Sequence, residues 1–146
     1  MKLYTYWRSS CSYRVRIALI VAGVDYLSVP VELVAGDHKS DPHTALNPQG
    51  LVPVLEIDGH LLTQSLAILD YLDRLPGGRP LFPDDPFERS EVLALALNTV
   101  ADAHPLIVPR IRKHLSEVHS ASPDDVKGWA RHWLTEGAAA YEVRLE

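Results

Sequence analysis

Four prolines and two glycines fall within residues 76–86, Pro76-Gly77-Gly78-Arg79-Pro80-Leu81-Phe82-Pro83-Asp84-Asp85-Pro86. No helix interior or central strand passes through such a stretch, because each proline removes a backbone donor and fixes φ. The chain is therefore expected to fold as two parts, residues 1–78 and 86–146, with a linker at 79–85. The two parts carry different patterns. The first alternates strand and helix signals, and the second is helical throughout.

In the first part, "KLYTYW" (2–7) is aromatic-rich and predicts a short strand. Val15, Ala18, Leu19 and Ala22 recur at helical spacing, and Gly23 supplies a stop. "YLSVPVEL" (26–33) predicts a second strand, which Pro30 moves to a sheet edge. The polar stretch "VAGDHKSDPHTALNPQG" predicts a loop with one short helical turn. "VPVLEID" and "HLLTQ" predict two strands joined by an Asp58-Gly59 hairpin turn. Ser65 is expected to cap a helix whose Leu66, Leu69, Tyr71 and Leu72 face a core. The order βαβ–ββα is the thioredoxin-like arrangement, an α/β domain on a mixed four-stranded sheet.

Beyond the linker, residues 87–104 predict one long helix, with Asp84 or Asp85 as cap and Pro86 in the first turn. Pro105 and Pro109 interrupt its continuation to about His119, and Ser122-Pro123-Asp124-Asp125 opens another helix running to the last residue. Two such helices leave apolar surface without cover, to be met by a dimer partner or by further chain; residues 86–146 read as a truncated all-α domain.

A net charge of −5 with no basic run argues against nucleic-acid binding. The single cysteine excludes an intrachain disulfide and suits a reducing compartment. No leader is visible, and the longest apolar stretch, "IALIVAGV", is too short for a membrane span, so a cytoplasmic protein is expected.

Chemistry concentrates in "RSSCSYRVRIAL" (8–19). Backbone N–H groups at a helix start lack intrahelical partners and carry partial positive charge, so they stabilise an anion such as a thiolate. Ser9 or Ser10 adds a hydroxyl donor, and Cys11 would itself acquire a lowered pKa there. The same residues are also accounted for by an ordinary capped helix with Cys11 packed as a small apolar side chain. "CSYR" lacks the second cysteine of a redox pair. Two further signals shift the balance. Pro53 stands before a strand in the usual cis-proline position, turning the backbone of Val52 towards the corner. Gln64 and Ser65 open another helix whose amides suit a carboxylate. Together these features suit an extended, acidic, thiol-bearing peptide, and glutathione is such a molecule. No metal-ligand spacing is present.

Through "RSSCSYRVRIAL", "ALNPQGLVPVLEIDG", "QSLAILDYL" and "HPLIVPR" the chain resembles the glutathione transferases, and within them the zeta class with its maleylacetoacetate and maleylpyruvate isomerases. The resemblance implies a thioredoxin-like domain followed by a helical domain, a homodimer, and glutathione as cofactor. It assigns Ser9 to the glutathione thiolate, with Ser10 and Cys11 beside it. It assigns Val52 and Pro53 to the cysteinyl part, Gln64 and Ser65 to the γ-glutamyl end, and His38 to the glycyl end. His104-Pro105 and Arg110 are more similar to bacterial maleylpyruvate isomerases, where arginines and a histidine surround a small dicarboxylate. Arg8 and Arg110 are the expected clamp for the two substrate carboxylates, since the guanidinium fork pairs bidentately with carboxylate. On spacing alone Arg110 is an exposed helix residue and His104 a polar residue before a proline kink. Arg14 is expected to brace the corner and Arg16 to be solvated.

The implied reaction is glutathione-dependent cis–trans isomerisation of a maleyl keto acid. General zeta-class conjugation or haloacid dehalogenation, a glutathione-binding module without activity, and a Cys11-based thiol activity are the rivals.

Overall fold

The computed structural model describes residues 1–145, in two compact units: Met1–Pro83, and Asp84 onwards. The last residue of the expected C-terminal helix lies outside the described residues.

In the first unit β1 (Lys2–Thr5), α1 (Ser10–Val21) and β2 (Leu27–Pro30) form a βαβ unit, with β1 and β2 parallel. A short 3-10 turn (Asp37–Lys39) and α2 (Asp41–Leu46) follow, more helix than the polar stretch suggested. The hairpin of β3 (Val54–Ile57) and β4 (His60–Thr63) leads into α3 (Ser65–Asp73). The sheet order is β2-β1-β3-β4, so the proline-bearing strand stands at an edge, as its missing donor requires. The strands are shorter than the apolar runs: Tyr6 is buried beyond the end of β1, and Pro53 precedes β3. Asp58 (φ 48°) and Gly59 (φ 79°) both take positive φ, as a tight hairpin turn demands.

Alternation along the strands sends Leu3 and Leu55 to one face, where they meet Val15, Ala18 and Leu19 of α1 and Ile68 and Leu72 of α3. Ile68 and Leu72 are the buried apolar residues of α3, whereas Leu66, expected to face the core, is half-buried. On the other face Lys2 and Tyr4 share the carboxylate of cross-strand Glu56, Nζ to Oε1 at 2.9 Å and the Tyr4 hydroxyl donating to Oε2 at 2.8 Å. The end of α1 is closed by Gly23 in the left-handed region (φ 69°), with Val24 N–H donating to the Leu19 carbonyl. Leu81 and Phe82 of the proline-rich stretch are held to α3, both amides donating to Asp73 Oδ1.

The second unit opens with α4 (Pro86–Leu97), capped by Asp85, whose side chain accepts from the amides of Phe87 and Glu88. The expected helix to residue 104 is present as one helical run to Ile107, widened by a π-helical turn (Asn98–Ala103) between α4 and α5 (His104–Ile107). Pro105 accounts for it: a proline cannot donate and crowds the carbonyl four residues back, and the wider turn makes room. Val108 (ψ 155°) breaks the run before α6 (Pro109–Val118). α7 (Pro123–Leu145) starts with a reciprocal cap, the Asp125 amide donating to Ser122 Oγ and the Ser122 amide to Asp125 Oδ2.

The run 86–118 contains a window of mean hydropathy 1.4, long and apolar enough by composition to cross a membrane. Polar residues at 98, 99, 102 and 104 interrupt the window, so it contains no uninterrupted apolar stretch of that length. The run is packed on α7. Asn98 Nδ2 donates to the Gly137 carbonyl, the Tyr141 hydroxyl to the Leu95 carbonyl, and Trp129 Nε1 to the Leu106 carbonyl. Thr99 and Tyr141 also join their hydroxyls. None of the described side chains of this unit is buried.

Two outcomes follow from this packing. A Cβ on Gly137 would lie 2.7 Å from the Ala103 Cβ. Gly137→Ala therefore lowers the melting temperature: overpacking costs about 1–3 kcal/mol against roughly 1 kcal/mol of helix propensity gained. The hydrogen bond from Lys2, then that from Tyr4, lowers the Glu56 pKa, while the Glu56 carboxylate raises those of Lys2 and Tyr4. The stabilisation is present above the ordinary carboxylate pKa, and is lost as pH falls through the depressed Glu56 pKa or rises through the raised Lys2 and Tyr4 values. Glu56→Gln flattens the acid limb of a stability-versus-pH curve measured by urea unfolding.

Candidate active site

The strand register brings three loops to one end of the sheet. Tyr4 of β1 pairs with Val54 at the start of β3, and Val54 pairs with Thr63 at the end of β4. The corner following β1, the Val52-Pro53 bond preceding β3 and the Gln64-Ser65 step following β4 are therefore neighbours at that end.

At the corner, Ser9 is the N-cap of α1. Its Oγ accepts from the Ser12 amide at 3.2 Å and its carbonyl from the Tyr13 amide at 2.8 Å. The cap uses only acceptor capacity, and a serine hydroxyl keeps its proton to donate. Capping and anion binding are thus compatible in one side chain. Ser10, exposed, and Cys11, half-buried, lie in the first turn, where the leading amides have no intrahelical acceptor. Arg8 is exposed on the turn, its guanidinium 5.5 Å from the Trp7 ring centroid. Arg16, expected to be simply solvated, reaches back with Nη2 to the Trp7 carbonyl at 3.2 Å and steadies the same turn.

Val52-Pro53 is a cis peptide bond, and the ladder of β3 begins only at Val54, leaving the Val52 backbone ahead of the last strand pair. Gln64 rather than Ser65 is the N-cap residue of α3, at φ 65° and without a side-chain capping bond. Ser65 is the first helical residue and is buried. Arg14 Nη1 donates to Ser65 Oγ at 3.3 Å, so the start of α3 is tied to α1.

His38 lies in the 3-10 turn with Nδ1 buried and without a partner among the described residues. Burial, then the charges of Lys39 and His43, pushes its pKa below the ordinary histidine value. The shift favours the neutral ring, which offers Nδ1 as a hydrogen-bonding group.

The sequence reading did not single out three residues here. Gln49 accepts from Gln64 Nε2 at 2.9 Å, and buried His43 and Asn47 both bond the Leu51 carbonyl. The only trace in the sequence is the segment "ALNPQGLVP", whose polar residues follow no helix or strand period.

His104 heads α5 and is half-buried, while Arg110, exposed, is the second residue of α6; both belong to the second unit. No cluster of metal-ligating side chains occurs among the described residues.

A family model described as the glutathione S-transferase N-terminal domain matches residues 1–74. The chain is 46% identical over 148 residues to a maleylacetoacetate isomerase of Rhizobium meliloti (strain 1021), across 99% of this chain and 68% of that protein. It is similar to the solved structure of a maleylacetoacetate isomerase from Methylobacterium extorquens AM1 with bound malonate and glutathione, at TM-score 0.96 and 42% identity, covering 99% of this chain and 68% of that one. A holo maleylpyruvate isomerase described as a bacterial zeta-class glutathione transferase matches at TM-score 0.94 and 39% identity, over 98% and 68% of the two chains.

Arg14→Met keeps the side-chain stem and removes the tie to Ser65. Glutathione affinity, measured by calorimetry, should fall about fivefold, as expected for one partly buried hydrogen bond.

Proposed function

Because the chain belongs to the glutathione S-transferase family, and within it to the zeta class, we propose that it is a glutathione-dependent cis–trans isomerase of a maleyl keto acid, maleylpyruvate or maleylacetoacetate. The observation that carries this is the Ser9 corner, where a capping hydroxyl and the first-turn amides of α1 lie at the sheet end that also holds Val52 and Gln64.

The residues present fit glutathione. The Val52 backbone lies outside the ladder, the α3 start at Gln64 and Ser65 offers amides, and His38 Nδ1 is a buried polar atom awaiting a partner. When bound, glutathione supplies a thiolate that adds reversibly to the activated double bond, so that a single bond can rotate before the sulfur leaves. Ser9 donates its hydroxyl proton as a hydrogen bond to the sulfur, and the α1 amides favour the anionic form. Ser10 and Cys11 line the same turn. Arg8 offers a guanidinium fork to a substrate carboxylate, as does Arg110, and such a charge offsets the negative charge that develops on the carbonyl side. His104 donates on the substrate side. The substrate is a small dicarboxylate keto acid, the protein works as a homodimer in the cytoplasm, and neither nucleic acid nor membrane takes part.

A second reading has one observation in its favour. The absence of buried side chains among the described residues of the second unit suits a glutathione-binding chain whose helical unit does not by itself complete a substrate pocket.

Maleylpyruvate added to the purified protein with and without glutathione, followed by the absorbance of fumarylpyruvate, tests both readings. The isomerase shows turnover only with glutathione. Cys11→Ala retains most of it, which separates isomerisation from thiol transfer by Cys11. Arg110→Ala loses about ten- to a hundredfold in kcat/KM, the effect of one charge-assisted pair, whereas a general transferase is little changed. Glutathione binding without turnover supports the second reading.

A further inference from the structure

The Leu51 carbonyl, one residue ahead of Val52, is held from two sides. His43 Nε2 and Asn47 Nδ2 each lie 3.0 Å from its oxygen. Facing a carbonyl, His43 must carry its proton on Nε2. Both side chains are nearly fully buried, at 5% and 3% exposure. Asn47 also accepts from the Gln49 amide through Oδ1 at 3.1 Å and from the Gly50 amide through its own carbonyl at 2.8 Å, closing the 47–51 loop from inside. Gly50 (φ 59°) fits because a Cβ there would stand 2.8 Å from the His38 carbonyl oxygen.

One donor satisfies a buried carbonyl, and burying a second polar side chain against it costs free energy unless its bond is made. Two convergent donors instead fix the orientation of the Leu51–Val52 peptide plane. The direction of the Val52 N–H follows from that plane, and only the φ and ψ of Val52 separate it from the Val52 carbonyl. No strand partner holds these groups, since the ladder starts at Val54.

We infer that His43 and Asn47 are positioning residues for glutathione: by clamping the Leu51 carbonyl they pre-orient the Val52 backbone for the cysteinyl amide. The inference rests on the glutathione-dependent reading above. Pre-orientation raises affinity because the loop does not have to be ordered when the ligand arrives.

The test pairs protein variants with a ligand variant. The 146-residue protein is titrated calorimetrically with glutathione and with an analogue whose cysteinyl amide N–H is replaced by an ester oxygen. In the unmodified protein the ester weakens binding about tenfold, the loss of one well-placed hydrogen bond. In His43→Leu and Asn47→Ala, glutathione binds about tenfold more weakly and the ester analogue is nearly as good as glutathione. His43→Gln, which keeps a donor near the Nε2 position, restores both affinity and discrimination. Should His43→Leu not fold, Asn47→Ser, too short to reach Leu51, gives the same readouts. Variants that bind glutathione normally overturn the inference. So do variants that weaken both ligands by the same factor, which assigns the two side chains to loop stability alone. An unmodified protein that binds no glutathione overturns the functional reading itself, and with it this one.

Discussion

The antiparallel pairing of β1 with β3 is the constraint on which the rest of the site depends. Tyr4 opposite Val54 sets where β1 ends relative to where β3 begins, and Val54 opposite Thr63 carries the alignment to β4. A one-residue slip of β3 against β1 would turn Leu55 away from the face that Leu3 shares with α1 and α3. The same slip would separate the α1 corner from the Val52 backbone and the α3 start. Core burial and site assembly are thus one requirement on the register, and the Lys2–Glu56–Tyr4 cluster on the opposite face reinforces it.

Around that end of the sheet the chain presents backbone groups more than side chains. Two helix N-termini provide partial positive charge, and the segment before β3 provides peptide N–H and C=O. Side chains then hold this backbone in place. Ser9 caps α1, Arg14 ties α1 to Ser65, Arg16 fastens the Trp7 carbonyl, and His43 and Asn47 fasten that of Leu51. Substituting Arg16, His43 or Asn47 therefore acts on this end of the sheet through the geometry of a neighbouring peptide group.

Much of this was legible in sequence where one residue's conformational preference decides the local structure. Asp58-Gly59 marked the hairpin, Gly23 the end of α1, and Pro86 after Asp84 or Asp85 the start of α4, where Asp85 proves to be the cap, because positive φ, capping and a missing donor are local properties. The site was less evenly readable. Ser9 is placed as a cap, but the boundary at α3 fell one residue away: Gln64, not a favoured capping type, occupies that position at φ 65°. His43 and Asn47 were missed because their target is a carbonyl eight and four residues along an irregular loop, which no periodicity reports. The π-helical turn escaped for a similar reason: Pro105 announces a disruption but not whether it becomes a kink or a widened turn.

The uneven distribution of buried side chains has a consequence for how unfolding registers in bulk measurements. The fully buried apolar residues lie in the first unit, whereas the described side chains of the second are all at least partly in contact with solvent. The heat-capacity increment and the denaturant dependence of unfolding both scale with the area newly exposed. Per residue, melting the first unit contributes more to either quantity than melting the helices does. Far-ultraviolet ellipticity is weighted the other way, towards those helices. A calorimetric trace and a circular-dichroism trace of the same sample therefore weight the two units differently, and coincidence of the two curves becomes a direct measure of whether the units unfold together.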